Sequence, residues 1–303
     1  MNDVINRMAL LFILMAVGYA ANKAGILDEK GNMIVSKLIM NVTMVATILD
    51  SVAGIQIEDK SELVVVFALA AIPFIIFPII SKVLIRIMKT PGDKRAAFEA
   101  MLIFPNLGFM GVPVISGLYG EEAIFYVSIF MLVFNLVFFS YGLIILSKNT
   151  EAGKINFRSM LNPGVVASLF SMVIFFFDIR FPVPIAEGLD MLGGATTPLA
   201  MIVIGSTIAD VSVREVFTEK RIYIFAVIKL IIYPVIVWLL VRNFVENQSL
   251  TGIAVILTGM PTAASVVMAC NECGSGAKFV SKGIFISTLG SMITIPLLTA
   301  LIS

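Results

Sequence analysis

The stretch from Ile103 to Gly120 is hydrophobic and long enough to cross a membrane, yet it contains Pro105, Gly108, Gly111 and Pro113. A helix cannot run through it unbroken. Pro105 has no amide proton for the carbonyl of Met101, and Pro113 leaves that of Phe109 without a donor. In a bilayer no water satisfies such freed groups, so open backbone is tolerated only where protein buries it or a watery cavity reaches it. The same plan returns 156 residues later, where Pro261 answers Pro105 and Gly276 answers Gly120. Interrupted apolar segments at corresponding positions of two halves mark the substrate region of a secondary transporter.

The rest of the chain agrees with a membrane setting. Of its 303 residues 59% are hydrophobic and 14% charged, against roughly 45–50% and 25% in soluble domains. Ten spanning segments are expected, at 4–22, 33–52, 62–86, 97–118, 123–146, 161–179, 186–209, 221–242, 250–272 and 277–302, each near the ~20 residues a span needs. The first resembles a signal peptide, with Arg7 before an apolar run and Gly18-Tyr-Ala-Ala21 after it, but Asp3 spoils the charged leader and its loss would leave one half a helix short. The fold class is therefore an all-α polytopic membrane protein, organised as a first five-helix repeat (1–147), a cytoplasmic linker (148–160) and a second five-helix repeat (161–303).

The distribution of Lys and Arg sets the orientation. One set of loops is rich in them, the loop after the third segment alone holding Lys82, Arg86, Lys89, Lys94 and Arg95, whereas the other side has only Arg7, Lys60, Arg180 and Arg242. The positive-inside rule then places both termini outside the cytoplasm. Five helices per repeat is an odd number, so the two halves are expected to be inverted about an axis in the membrane plane.

Function classes narrow by what is missing. A net charge of +1 offers no basic surface for nucleic acid. The chain has no histidine, which removes the commonest catalytic base, and no enzyme constellation replaces it. Cys270 and Cys273 form one Cys-x-x-Cys without the second pair a structural zinc site requires, so they read as small apolar residues, and neither a metal nor a cofactor is expected. A channel would need a polar stripe or a charge ring, and none is visible.

Asn106-Leu-Gly-Phe-Met-Gly-Val-Pro113, followed by Gly120, Asn135 and Ser140, resembles the fourth and fifth helices of the auxin efflux carrier family. Met260-Pro-Thr-Ala-Ala264 and Thr294-Ile-Pro-Leu297 are similar to that family's ninth and tenth helices, and Thr196-Thr-Pro-Leu-Ala200 with Gly205 to its seventh. The likeness spans the chain and points to the bacterial malate- and malonate-type permease branch. It implies the ten-helix inverted repeat shared with bile-acid sodium symporters, in which helices 4 and 9 unwind and cross near mid-membrane while helices 1, 2, 6 and 7 form a scaffold. It also implies a small organic anion as substrate. Segment 2 departs from the pattern: Asn41-Val-Thr-Met-Val-Ala-Thr47 has no proline where the family usually has one, near Val45.

The candidate substrate-binding residues are Pro105, Asn106, Gly108, Pro261, Thr262, Ser265, Asn41 and Thr43. Each has a plainer reading as well. The prolines make ordinary kinks in many membrane helices, an asparagine caps nearby backbone, and small polar residues pack helices together. Glu272 and Glu99 are the candidate coupling acids, since intramembrane ionisable residues are functional hypotheses by default. Lys229 lies deep in segment 8 with no partner in its own helix. No acid stands beside either proline, which argues against a sodium cage there and for proton movement or electrogenic anion flux. The expected function is a secondary active permease for a small carboxylate in the bacterial inner membrane, its partners the anion, H+ or Na+, membrane lipid and a second copy of the chain as a homodimer. The alternatives are a sodium-coupled symporter of a larger amphipathic acid and, in another class, an ion channel.

Overall fold

The computed structural model describes residues 2–51, 61–146, 163–177, 179–209, 219–272 and 276–302. The linker expected at 148–160, with Lys60 and Cys273, lies outside these residues. What is described is helical: α1 Asn2–Lys23, α2 Glu29–Asp50, α3 Ser61–Ile87, α4 Gly92–Ile103, α5 Leu107–Tyr119 and α6 Glu121–Leu146. After these come α7 Pro163–Phe176, α8 Val183–Ala209 and α9 Arg221–Val241, α10 Gln248–Thr258, α11 Ala264–Glu272 and α12 Ala277–Ile302. Among the described residues α2, α3, α6, α8, α9 and α12 are long and apolar enough to cross a membrane, and Ala9–Lys23, α5, α7 and α10 are shorter apolar helices. The fourth and ninth expected segments are each found divided into a pair of short helices.

Local chemistry fixes the helix ends. The Asp28 carboxylate accepts the N–H of Gly31 at 2.7 Å and opens α2, and the Asn247 side chain accepts from Ser249 and Leu250 to open α10, both as N-caps. Gly120 (φ 91°) and Gly276 (φ 75°) follow α5 and α11 in a left-handed conformation that other residues avoid. These two glycines stand at the 156-residue interval, as do the starts of α4 and α10 and both ends of α6 and α12.

Contacts divide the chain into two compact units, each built from both halves of the sequence. The first gathers α1, α2, α7 and α8 with residues 108–132. Here α1 lies along the Thr196–Ala209 part of α8, so close that a Cβ on Gly18 would collide with the carbonyl of Ile202 and one on Gly205 with that of Met15. Small residues that let backbones meet are a common packing device in membranes. Helices 1, 2, 6 and 7 of the expected map fall in this unit, together with residues 108–132 of the fourth and fifth segments.

In the same unit α2 answers the missing proline in another way. Residues Ile39–Thr43 form a π turn, with the Met44 N–H bonded to Ile39, so one inserted residue gives the irregularity that a proline gives elsewhere. One turn on, the Thr47 hydroxyl lies 2.9 Å from the Thr43 carbonyl, 3.1 Å from that of Gly193 and 2.8 Å from the Thr196 hydroxyl. Two interrupted helices thus meet where their loosened backbone finds partners.

The second unit gathers most of α3, all of α4 and α9–α12, and residues 133–146 of α6. Its core is aromatic. Phe104 is ringed by Phe74, Phe134 and Phe138 at centroid distances of 6.0, 5.6 and 5.0 Å, and Phe98 meets Phe225 and Phe279. Helix α9 has its own π turn at Ile228–Ile232. At one margin Glu219 takes Lys94 at 2.8 Å and Arg221 at 3.2 Å; the hydrogen bond from Lys94 comes first among the effects holding its carboxyl below the usual carboxylate range.

Candidate functional site

The break between α4 and α5 begins with Pro105. Phe104 leaves the helix for an extended conformation (φ −99°, ψ 101°), as a residue before proline tends to. The last turn of α4 then has carbonyls without intrahelical donors, and all lie in a buried core. Their partners come from far along the chain. The Met101 oxygen, which Pro105 cannot serve, accepts the Thr262 hydroxyl at 2.9 Å. The Leu102 oxygen accepts the Lys229 ammonium at 2.9 Å. That of Phe104 accepts the N–H of Ala263 at 3.0 Å, and Asn106 gives its own N–H to the Pro261 carbonyl at 2.7 Å.

The two breaks are therefore bonded to each other. Pro105 and Thr262 form an isolated antiparallel bridge, and a short piece of two-stranded pairing replaces the helical bonds the prolines forbid. The second break closes differently: Gly259 bonds back to Val255 at 3.1 Å and Met260 to Leu257 at 3.3 Å. The Leu257 carbonyl that Pro261 leaves free is met locally, whereas the Met101 and Leu102 carbonyls are met from α11's approach and from α9.

Of the residues expected in the site, Pro105, Asn106, Pro261 and Thr262 come together here. Pro105, Pro261 and Thr262 are buried, Asn106 and Ser265 half-buried, Ser265 lying just inside α11. Gly108, Asn41 and Thr43 belong to the other unit. In it Gly108 lies against Met44, whose Cε would be 2.9 Å from a Cβ at that position. Asn41 is exposed and turns its amide to the Lys37 carbonyl at 2.6 Å, and the hydroxyl of Thr43 is buried without a partner. Glu99, on α4, is buried and accepts the Tyr141 hydroxyl at 2.5 Å. The side chain of Glu272 lies outside the described residues. Cys270 is buried.

Lys229, singled out in the sequence but not among the expected substrate contacts, joins the break through the Leu102 carbonyl. An ammonium in mid-span with no partner in its helix is the available signal; what the sequence does not carry is the identity of its partner, a main-chain oxygen 127 positions away.

Apolar helices in this number, two of them broken and pinned to one another, define an integral membrane protein. The chain belongs to the membrane transport protein family, the auxin efflux carrier family, whose pattern matches residues 3–299. It is 24% identical over 289 residues to an "Uncharacterized transporter" of Methanothermobacter thermautotrophicus, covering 95% of this chain and 94% of that one. It is 24% identical over 301 residues to another so named from Methanocaldococcus jannaschii, covering 95% of each. It is 21% identical over 306 residues to a "Putative malonate transporter" of Rhizobium meliloti, covering 97% of this chain and 94% of that one. Family and relatives alike are named for transport and not for catalysis.

Proposed function

We propose that this protein is a gradient-driven carrier of a small organic anion, a carboxylate such as malonate, working by alternating access around the crossing of its fourth and ninth segments. The observation that carries the reading is the mutual bonding of the breaks, Asn106 N–H to Pro261 and Ala263 N–H to Phe104. Ordinary kinks would each be satisfied within their own helix; paired breaks instead bring the amino ends of two short helices to the crossing, where a substrate can be held. Asn106 and Ser265 are the substrate contacts at those ends, with Thr262 holding the backbone open.

The ten-helix architecture, its inversion and the outward termini belong to the same reading, supported by the 156-residue interval and the loop charges. It places the protein in a bacterial inner membrane. Glu99, buried and hydrogen-bonded, is the coupling acid for a proton, with Glu272 its rival. The test is counterflow in proteoliposomes. Preloaded unlabelled malonate should drive saturable uptake of labelled malonate; uptake that never saturates would indicate a channel, and uptake demanding sodium at every pH would favour the sodium-symporter alternative.

A further inference from the structure

None of the surface of Lys229 reaches solvent, and among the described residues no carboxylate lies within ion-pair distance of it. Only one other charged side chain is buried among the described residues, Glu99, and it is engaged by Tyr141. The oxygen that Lys229 holds belongs to Leu102, three residues before Pro105, whereas Glu99 stands six before it. Along α4 the carbonyl that Lys229 holds is thus nearer Pro105 than Glu99 is.

A broken helix exposes two ends of opposite sign, equivalent to about +0.5 charge at an amino end and −0.5 at a carboxyl end. Two broken helices bring two of each to one place: α5 and α11 begin there, α4 and α10 end there. These partial charges sum to about zero, so paired breaks by themselves prefer neither anion nor cation. The Lys229 amine seated on the last turn of α4 carries, when protonated, a charge that outweighs that end and leaves the place positive. Among the described residues no lysine or arginine is bonded to the end of α10, where the N–H groups of Gly259 and Met260 meet the Val255 and Leu257 carbonyls.

We infer that Lys229 is the specificity-determining residue of this carrier: its ammonium, fixed on the Leu102 carbonyl beside the paired breaks, gives the crossing its preference for anions and favours a dianion over a monoanion. It acts through the end of α4 and need not touch the substrate. The inference rests on the carrier reading above. A unit charge acting over about 12 Å, at an effective dielectric near 20, changes affinity roughly tenfold per substrate charge.

Wild type, Lys229→Arg and Lys229→Met are compared in proteoliposomes with labelled malonate (dianion) and malonamate (monoanion), and malonamide as a neutral competitor. The arginine variant should keep the wild-type order. The methionine variant should raise KM for malonate about tenfold more than for malonamate while maximal rates change by less than about threefold, the tenfold step being the loss of one charge interaction. A purely structural lysine would depress both acids alike, and an unchanged ratio of the two KM values in an active Lys229→Met protein overturns the inference alone. If Lys229→Met does not reach the membrane, Lys229→Gln takes its place, and competition against labelled malonate in the wild type must fall from malonate to malonamate to malonamide; equal competition by malonamide overturns it. A wild type that exchanges neither acid removes the carrier reading and the inference with it.

Discussion

The rings of Phe77 and Tyr233 stack with centroids 3.8 Å apart and planes 20° from parallel, and they stand 156 residues apart, the interval that separates Pro105 from Pro261. Pro78 and Pro234 follow them at the same spacing. Equivalent residues of a two-fold repeat touch where the axis relating them passes, so this is the contact expected at the axis of the proposed inversion. The equivalence is incomplete, because Tyr233 carries a hydroxyl that is buried without a partner. Tyr233→Phe should keep the stack, remove the unmet group and stabilise the protein by about 1–3 kcal/mol. Tyr233→Ala should cost about 3–5 kcal/mol. Thermal unfolding in detergent measures both, and a lowered midpoint for the phenylalanine variant would show that the hydroxyl has a partner in the membrane.

Orientation gives a second prediction. In a background with Cys270→Ala and Cys273→Ala, a cysteine at position 60 should react with an impermeant maleimide on intact cells, and one at position 154 only after lysis. Labelling of position 154 from outside would reverse the loop assignment and with it the inverted-repeat map.

The breaks are legible in the sequence because proline lacks a donor and because the same punctuation recurs at a fixed interval. The partners are not. Nothing near Met101 announces that its carbonyl will be met by Thr262, 161 residues on, or that of Leu102 by Lys229. The π turn at Ile39–Thr43 contains neither proline nor glycine, so the sequence marks it only by the absence of the family's usual proline. Asn41 shows the opposite failure: its polarity suggests a ligand, yet its amide serves the carbonyl one turn earlier, as asparagine in a helix often does. Burial of Cys270 agrees with its reading as a small apolar residue.

The Glu219 cluster predicts a pH dependence whose sign follows from its lowered carboxyl. A carboxylate depressed in the folded state adds stability above its unfolded value, about 4.3, and loses that contribution as pH falls through the folded value. The pair with Lys94 is partly exposed, so about 0.2–1 kcal/mol is at stake. Glu219→Gln should therefore lower the unfolding midpoint slightly at pH 7 and progressively less below about pH 4. A difference that grows on acidification would contradict the assignment.

The paired breaks give the most demanding prediction. Replacing Pro105 with Ala restores an N–H that could bond Met101, but the helix does not heal by that bond alone. The Met101 oxygen already has the Thr262 hydroxyl, the N–H of Asn106 is committed to Pro261, and Leu102 is held by Lys229. Pro105→Ala should therefore keep substantial transport. Thr262→Val leaves the Met101 carbonyl buried and unmet, at a cost of about 1–3 kcal/mol. In the double variant the N–H restored at position 105 takes the vacated oxygen, so stability should recover while α4 extends by a residue toward the crossing and counterflow falls below that of either single variant. Stability and transport would then move in opposite directions in one protein. If the effects on unfolding midpoint simply add, Pro105 and Thr262 do not share the Met101 carbonyl, and the paired break loses its physical basis.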